Sequence, residues 1–133
     1  VNDASRLEPA NKQYGTGIIL GESTVQLARE AIVVRMLDRM QLAGRSRPVA
    51  IYELLGETGN VDATKIAAAE LYEKALNLHW QRQWDEAVDV LEKALNAWPE
   101  DEPSQTLRRR VLRYREEPPP PSWSGEIIQL QKR

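Results

Sequence analysis

The chain has 133 residues, 41% hydrophobic and 29% charged, with a net charge of −2. These values predict one ordinary globular domain or two small ones, and they argue against bulk attraction to nucleic acid or to an anionic membrane. Cysteine is absent and His79 is the sole histidine, which excludes disulfides and histidine- or thiolate-based zinc sites. Without a membrane-length apolar run or a signal peptide, we expect a cytoplasmic chain.

The first residues place an amide and a guanidinium on one helical face. Asn2 and Arg6 are four residues apart, about one helical turn. Together they offer donors and an acceptor that suit a phosphate and a sugar hydroxyl. The same pattern is typical of a solvated helix face. Asn2 or Asp3 can also act as a helix N-cap, with Ser5 and Glu8 as a capping box.

A short strand, a helical turn and a β-hairpin follow. The apolar run 18–20 is bounded by glycines and predicts a buried strand. The helical turn after it should be capped by Ser23 or Thr24. Two runs rich in β-branched and apolar residues, 33–42 and 49–55, then predict the two strands of a hairpin whose loop carries Arg45.

Side-chain alternation along the first hairpin strand predicts two faces. Arg35 and Leu37 should point one way, and Asp38 and Met40 the other. The alternation is imperfect, but the composition favours a strand.

Composition changes at residues 56–62, where we place a boundary. A helix capped by Asp62 or Thr64 should run to about Gln81, with His79 packed on its apolar stripe and hydrogen-bonded. A second helix starts near Trp84 and shows a clean amphipathic stripe. Its end is set by the proline at 99.

A third helix should run from Pro103 to about Arg115. Its many arginines raise the idea of RNA binding, but no aromatic residues are interleaved with them. A solvated face is favoured, paired with Glu102, Glu116 and Glu117.

Four prolines, 118–121, follow the third helix. They predict an extended stretch that serves as a stiff spacer or binds a partner domain, and we favour the spacer. Residues 123–131 predict a short strand or a docking tail.

The first 57 residues resemble the C-terminal part of a class III adenylate/guanylate cyclase catalytic domain of bacterial type. Four stretches carry the resemblance in the family's order and separations: VNDASRLE at 1–8, NKQYGT at 11–16, LDR at 37–39 and GRSRPVAIYELLG at 44–56. The resemblance implies that Asn2 and Arg6 contact the nucleotide and that Arg6 stabilises charge at the α-phosphate. Where the family commonly has a phosphate-binding lysine, this chain has Ala43, and Arg45 matches a second basic position.

The resemblance also implies that part of the catalytic site lies outside this chain. In this family the two metal-binding aspartates precede the Asn/Arg helix, so we expect no metal or cofactor in this fragment, and Mg²⁺ or Mn²⁺ in the parent enzyme. Sites of this class form between two catalytic domains, so a second cyclase domain, as in a homodimer, is the expected partner. The fragment alone should be inactive, and its parent can be membrane-anchored.

Residues 68–101 resemble one tetratricopeptide repeat. In that register Ala75 and Ala87 fill the small positions where two helices approach closely, and Trp84 fills the aromatic position at the turn. Lys74 departs from the pattern. One repeat cannot bury its own apolar face, so the third helix should act as a cap.

We therefore predict an α+β chain that begins with a partial cyclase-type (ferredoxin-like) sheet segment at 1–57. A linker and the start of a helix follow at 58–67, then a repeat-like helical hairpin with capping helix at 68–116, and a proline-rich spacer with a tryptophan-containing tail at 117–133. The predicted function is that of a C-terminal cyclase fragment. The alternative is a module that binds a peptide or protein, or buttresses a dimer, with a degenerate cyclase segment. Neither nucleic acid nor direct membrane contact is expected.

Overall fold

The computed structural model describes residues 18–41, 47–123 and 127–128. The chain divides into two compact units, one made of Val1–Asn60 with Glu126–Arg133 and the other of Val61–Gly125. The described part of the first unit is built on a sheet, and the second unit contains three helices. The architecture is α+β, as the sequence predicted.

The sheet of the first unit has four strands among the described residues, in the order β1-β3-β2-β4. β1 is Ile19–Gly21, β2 is Ile32–Gln41, β3 is Val49–Glu57 and β4 is Ile127–Ile128. β3 pairs antiparallel with both β1 and β2, whereas the two-residue β4 pairs parallel with the end of β2. The predicted hairpin is confirmed as β2 and β3.

Helix α1, Glu22–Ala28, follows β1 without a loop. Its N-cap is Gly21, in an extended conformation with φ −82° and ψ 169°, and no side chain caps it. The prediction that Ser23 or Thr24 caps this helix is therefore wrong. Because the helix begins at Glu22, directly after the last strand residue, Ser23 and Thr24 both lie inside its first turn.

The predicted facing of β2 is also wrong, because the strand contains a bulge. Met36 pairs with Tyr52 and Asp38 pairs with Ile51, so β2 has one more residue, Leu37, than the opposite stretch of β3. A bulge shifts the alternation of side chains by one position. Leu37 and Asp38 are consequently both fully buried, although they are neighbours in sequence.

The second unit consists of α2 (Ala63–Trp80), α3 (Trp84–Ala97) and α4 (Glu102–Glu116). Each helix lies within about two residues of its predicted bounds. Asp62 caps α2, since its Oδ1 accepts the Thr64 backbone N–H at 2.7 Å. This satisfies one of the donors that a helix leaves free at its start.

Small side chains lie where α2 and α3 pack together. Ala75 on α2 and Ala87 on α3 are both fully buried, as the repeat register requires of its small positions. The repeat assignment itself stays a prediction. Around these alanines the helical core includes a set of larger buried side chains: Tyr72, Leu76, Val88, Val90, Leu91, Leu107 and Val111.

The arginine-rich α4 differs from its prediction in two respects. Arg108 and Arg115 form ion pairs with Glu92 and Asp85, both at 3.0 Å, so these partners lie on α3 instead of near the ends of α4. Arg110 is buried rather than solvated, with 7% of its surface exposed. None of the helices in the described part of the chain has the length and hydropathy of a membrane span.

Candidate functional site

The residues that the sequence assigned to the site, Asn2, Arg6 and Arg45, lie outside the described residues, as does Ala43. The structure describes the strands to which their segments are joined, β1, β2 and β3, which we call the frame. The loop that carries Arg45 joins Gln41 at the end of β2 to Val49 at the start of β3.

The segment that carries Asn2 and Arg6 joins this frame at Ile18. The Leu54 backbone N–H donates to the Ile18 carbonyl at 3.1 Å, so the segment enters beside the middle of β3. Five residues of β3 separate Leu54 from Val49, which corresponds to roughly 17 Å. Twelve residues separate Arg6 from Ile18, and such a stretch can extend to about 40 Å. The frame therefore allows Arg6 and Arg45 to reach one ligand, but the described residues do not bring them together.

The interior of the hairpin holds an ion pair that sequence reasoning missed. Arg35 on β2 and Glu53 on β3 are paired across the strands, and Arg35 is fully buried. The Arg35 Nε donates to Glu53 Oε1 at 3.0 Å, and Nη2 contacts the same oxygen. Because a charge removed from water is costly, the guanidinium is held by a carboxylate that is itself only 12% exposed.

Asp38 lies just beyond the bulge and is fully buried. Its Oδ1 accepts the backbone N–H of Arg39 at 2.8 Å. Both residues belong to the LDR stretch that carries part of the cyclase resemblance. The hydrogen bond lies in the strand that leads to the loop carrying Arg45.

A second cluster of functional groups lies at the turn between α2 and α3. His79 is 1% exposed and is surrounded by three aromatic rings: Trp84 at 5.4 Å, Tyr114 at 5.5 Å and Trp123 at 5.2 Å between centroids. Burial, with a smaller contribution from the positive charge of Arg110, lowers the pKa of His79 from 6.5 to about 3. The predicted packing of His79 is confirmed, and the side chain stays neutral at physiological pH. The predicted hydrogen bonding is not found at Nδ1, which is buried among the rings without a hydrogen-bond partner among the described residues.

An open pocket of about 360 Å³ lies beside this cluster. It is lined by residues 82–86 and Arg115, and the Arg115–Asp85 ion pair forms part of its wall. The lining combines the Trp84 side chain with charged side chains of both signs. The pocket by itself therefore indicates no particular ligand.

The described residues offer no metal site. No three histidine, aspartate or glutamate side chains in ranges 18–41, 47–123 and 127–128 come close enough to hold one ion. The three described carboxylates of the sheet strands have other contacts: Glu53 with Arg35, Asp38 with the Arg39 backbone N–H, and Glu57 with the Asn60 side chain. The described residues thus do not fit a divalent ion.

No protein-family model and no solved structure matches the chain. Two proteins are similar to part of it. "Adenylate cyclase, terminal-differentiation specific" of Dictyostelium discoideum is 27% identical over 116 residues, covering 84% of this chain and 6% of that protein. "Adenylate cyclase 1" of Rhizobium meliloti (strain 1021) is 36% identical over 69 residues, covering 52% of this chain and 10% of that protein.

The chain thus spans a tenth or less of the length of these relatives. Both matches are longer than the 57 residues of the predicted cyclase-like segment, so the similarity continues beyond that segment into the residues that follow it. The chain is weakly homologous to adenylate cyclases over part of its length.

Proposed function

We propose that this chain is the C-terminal part of a class III nucleotide cyclase of bacterial type, whose parent converts ATP or GTP into a cyclic nucleotide and pyrophosphate. One observation carries the proposal: the two relatives that match it, from distant organisms, are both named adenylate cyclases. The four quoted stretches of residues 1–56 support it, as does the antiparallel pairing of β2 with β3.

In this proposal the first unit supplies the groups that stabilise the reacting phosphate. The 3′-hydroxyl of the nucleotide attacks the α-phosphorus, and pyrophosphate leaves with the electrons of the broken bond. Negative charge on the α-phosphate oxygens rises in the transition state, and the fork of donors on Arg6 is suited to stabilise it. Asn2 orients the nucleotide, and Arg45 binds the terminal phosphates in place of the lysine that Ala43 replaces.

The metal part of the reaction lies outside the groups described in this chain. Mg²⁺ or Mn²⁺ would lower the pKa of the attacking hydroxyl and neutralise phosphate charge in the parent enzyme. The described residues do not fit such an ion, and we assign none of them to it. We also propose that residues 1–133 are inactive on their own and that a second cyclase domain in a cytoplasmic homodimer is their partner.

The test is an assay of the complete reading frame that contains residues 1–133, with Mg²⁺ or Mn²⁺ and with ATP or GTP. We expect cyclic nucleotide formation, and we expect Arg6→Ala to lower kcat by about 100-fold or more, the usual effect of removing one transition-state donor. Arg45→Ala should act mainly on KM, because the terminal phosphates are bound in both the ground state and the transition state.

Arg29→Ala is the matched control. Arg29 is an exposed arginine at the end of α1 in the same unit, and it is not among the residues assigned to the proposed site. An inactive complete protein with both metals and both nucleotides contradicts the proposal. Equal activity of the Arg6→Ala and Arg29→Ala proteins contradicts it as well.

The alternative, a repeat-type interaction or dimer-buttressing module, is favoured by a different observation. The proline-rich segment after α4 is seated on the helices through Arg82 and Trp123. No large apolar side chain among residues 61–123 is exposed, so this alternative function does not rest on an open apolar groove. If the complete protein has no cyclase activity but retains a specific protein partner that depends on residues 61–123, this function takes precedence.

A further inference from the structure

The proline-rich segment, residues 118–123, packs on the helical unit and is more than a spacer. It begins two residues after the end of α4 at Glu116. The prediction of a stiff spacer accounts for its extended start but not for its contacts. These contacts come from one arginine and one aromatic cluster, and both lie within the second unit.

Arg82 holds the backbone of the segment by two hydrogen bonds. Its Nη1 donates to the Pro119 carbonyl at 3.1 Å, and its Nη2 donates to the Pro120 carbonyl at 2.6 Å. Successive prolines form an extended helix whose carbonyls have no internal partner, and prolines have no N–H to offer. A guanidinium carries only donors, spaced as a rigid fork. The contact is therefore selective for a backbone that presents two adjacent carbonyls, each with a lone pair left to accept from the arginine.

A turn then directs Trp123 back toward the helices. The Trp123 backbone N–H donates to the Pro120 carbonyl at 2.9 Å, which closes a four-residue turn with Pro121 in the position that proline favours. The Trp123 ring lies edge-on to His79 at 5.2 Å and to Tyr114 at 5.5 Å. Arg82 lies over the same ring at 5.5 Å, a cation–π contact.

The backbone at Arg82 is arranged for this contact. Its φ of 64° lies in the left-handed region, which a non-glycine residue adopts at a cost. Glycine or asparagine would make the α2–α3 turn more easily. The arginine side chain is the feature that neither of them would supply, and it is the one that binds the proline carbonyls.

We propose that Arg82, His79, Trp84 and Tyr114 form a recognition site for proline-rich segments that end in tryptophan, and that residues 118–123 of the same chain occupy it. The short tether from α4 keeps the local concentration of this segment high, in the millimolar range typical of short linkers. The site is therefore closed to outside ligands in the intact chain. When the tryptophan of the tether is removed, the site accepts the same sequence from solution.

The experiment uses the full chain with Trp123→Ala and a fluorescein-labelled peptide of residues 116–123, Glu-Glu-Pro-Pro-Pro-Pro-Ser-Trp. Fluorescence anisotropy should show saturable binding to the Trp123→Ala chain. Binding to the wild-type chain should be at least tenfold weaker, because its own segment competes. A peptide in which the tryptophan is replaced by alanine should lose at least tenfold in affinity.

Two further arginine substitutions in the Trp123→Ala background locate the site. Arg82→Ala should weaken peptide binding at least tenfold, because both carbonyl contacts and the cation–π contact are lost. Arg109→Ala is the matched control: it removes an exposed arginine of α4 whose described contact is with Thr106 on the same helix. Its peptide affinity should stay within twofold of the parent variant.

A second measurement keeps the proposal testable if Trp123→Ala impairs folding. In the otherwise wild-type chain, the indole N–H resonance of Trp123 should be shifted by the neighbouring rings, and Arg82→Ala should move it to the position of an exposed tryptophan. A folded Trp123→Ala chain that does not bind the peptide overturns the proposal, and so does equal binding to both chains. A wild-type dimer that Trp123→Ala converts to monomer also overturns it, since the occupant is then the segment of a second copy.

Discussion

The two units bury polar groups in different ways. In the sheet unit, Arg35 and Glu53 are eighteen residues apart in sequence and meet only because β2 pairs with β3 in one register. In the helical unit, His79 on α2 is neutral and packs against the rings of Trp84 on α3 and Tyr114 on α4. A buried charge depends on one specific partner, whereas a buried neutral ring is stabilised mainly by packing against its neighbours. Substitutions should therefore act on the sheet unit through register and on the helical unit through packing and protonation.

The largest expected effect is at the buried ion pair. Glu53→Leu leaves the Arg35 guanidinium buried without this carboxylate and should destabilise the sheet by about 3–5 kcal/mol. Hydrogen exchange of the β3 backbone amides measures the change, because it reports the sheet separately from the helices.

The double variant Arg35→Leu/Glu53→Leu is the control for this experiment. Replacing both charges by apolar side chains is often neutral or stabilising, so most of the lost protection should return. If the double variant is as unstable as Glu53→Leu alone, the cost comes from altered packing and the ion pair is not what holds the register.

The next effect concerns pH and the helical unit. His79 has a pKa of about 3 in the folded chain and an ordinary value of 6.5 when unfolded. Between these values the unfolded state binds the extra proton, so stability falls as the pH falls below 6.5. From pH 7 to pH 5 the loss should be about 2 kcal/mol, measured by urea unfolding of the helical unit.

His79→Gln supplies the reference for the pH experiment. No other histidine exists in the chain, so the variant should be nearly independent of pH between 7 and 5, whatever its absolute stability. An unchanged pH dependence in this variant places the titrating group elsewhere.

A smaller effect is expected at the start of α2. Asp62→Ala removes the acceptor of the Thr64 N–H and should cost about 1 kcal/mol. For a domain of this size that corresponds to a drop in Tm of about 4–8 °C. Asp62→Asn should retain most of the stability, and Thr64→Ala should change little, because the cap uses only the backbone of Thr64.

The smallest effect is expected at the surface of α4. Arg108 and Glu92 are 37% and 52% exposed, so solvent screens their ion pair. Arg108→Ala should change the free energy of unfolding by less than about 0.5 kcal/mol, and added salt should leave the wild-type value almost unchanged. A loss comparable to that of Glu53→Leu contradicts the view that buried and exposed pairs differ in kind.

Local sequence signals determined the helical unit. The spacing of apolar residues, the cap at Asp62 and the prolines near 99 and 103 predicted all three helices closely, because each depends on residues a few positions apart. The hairpin was likewise evident from its two β-rich runs. The candidate site residues Asn2, Arg6 and Arg45 stay predictions, since they rest on a resemblance and lie outside the described residues.

Only the tertiary structure decided which distant residues meet. Counting back from the hairpin loop pairs Arg35 with Leu54, but the bulge at Leu37 moves its partner to Glu53. No local sequence pattern predicts an extra residue in a strand, because the stability of a bulge depends on how the strand pairs with the opposite one. The seating of Trp123 against His79 is equally non-local: proline spacing predicts an extended segment, whereas the folded helices determine where that segment binds.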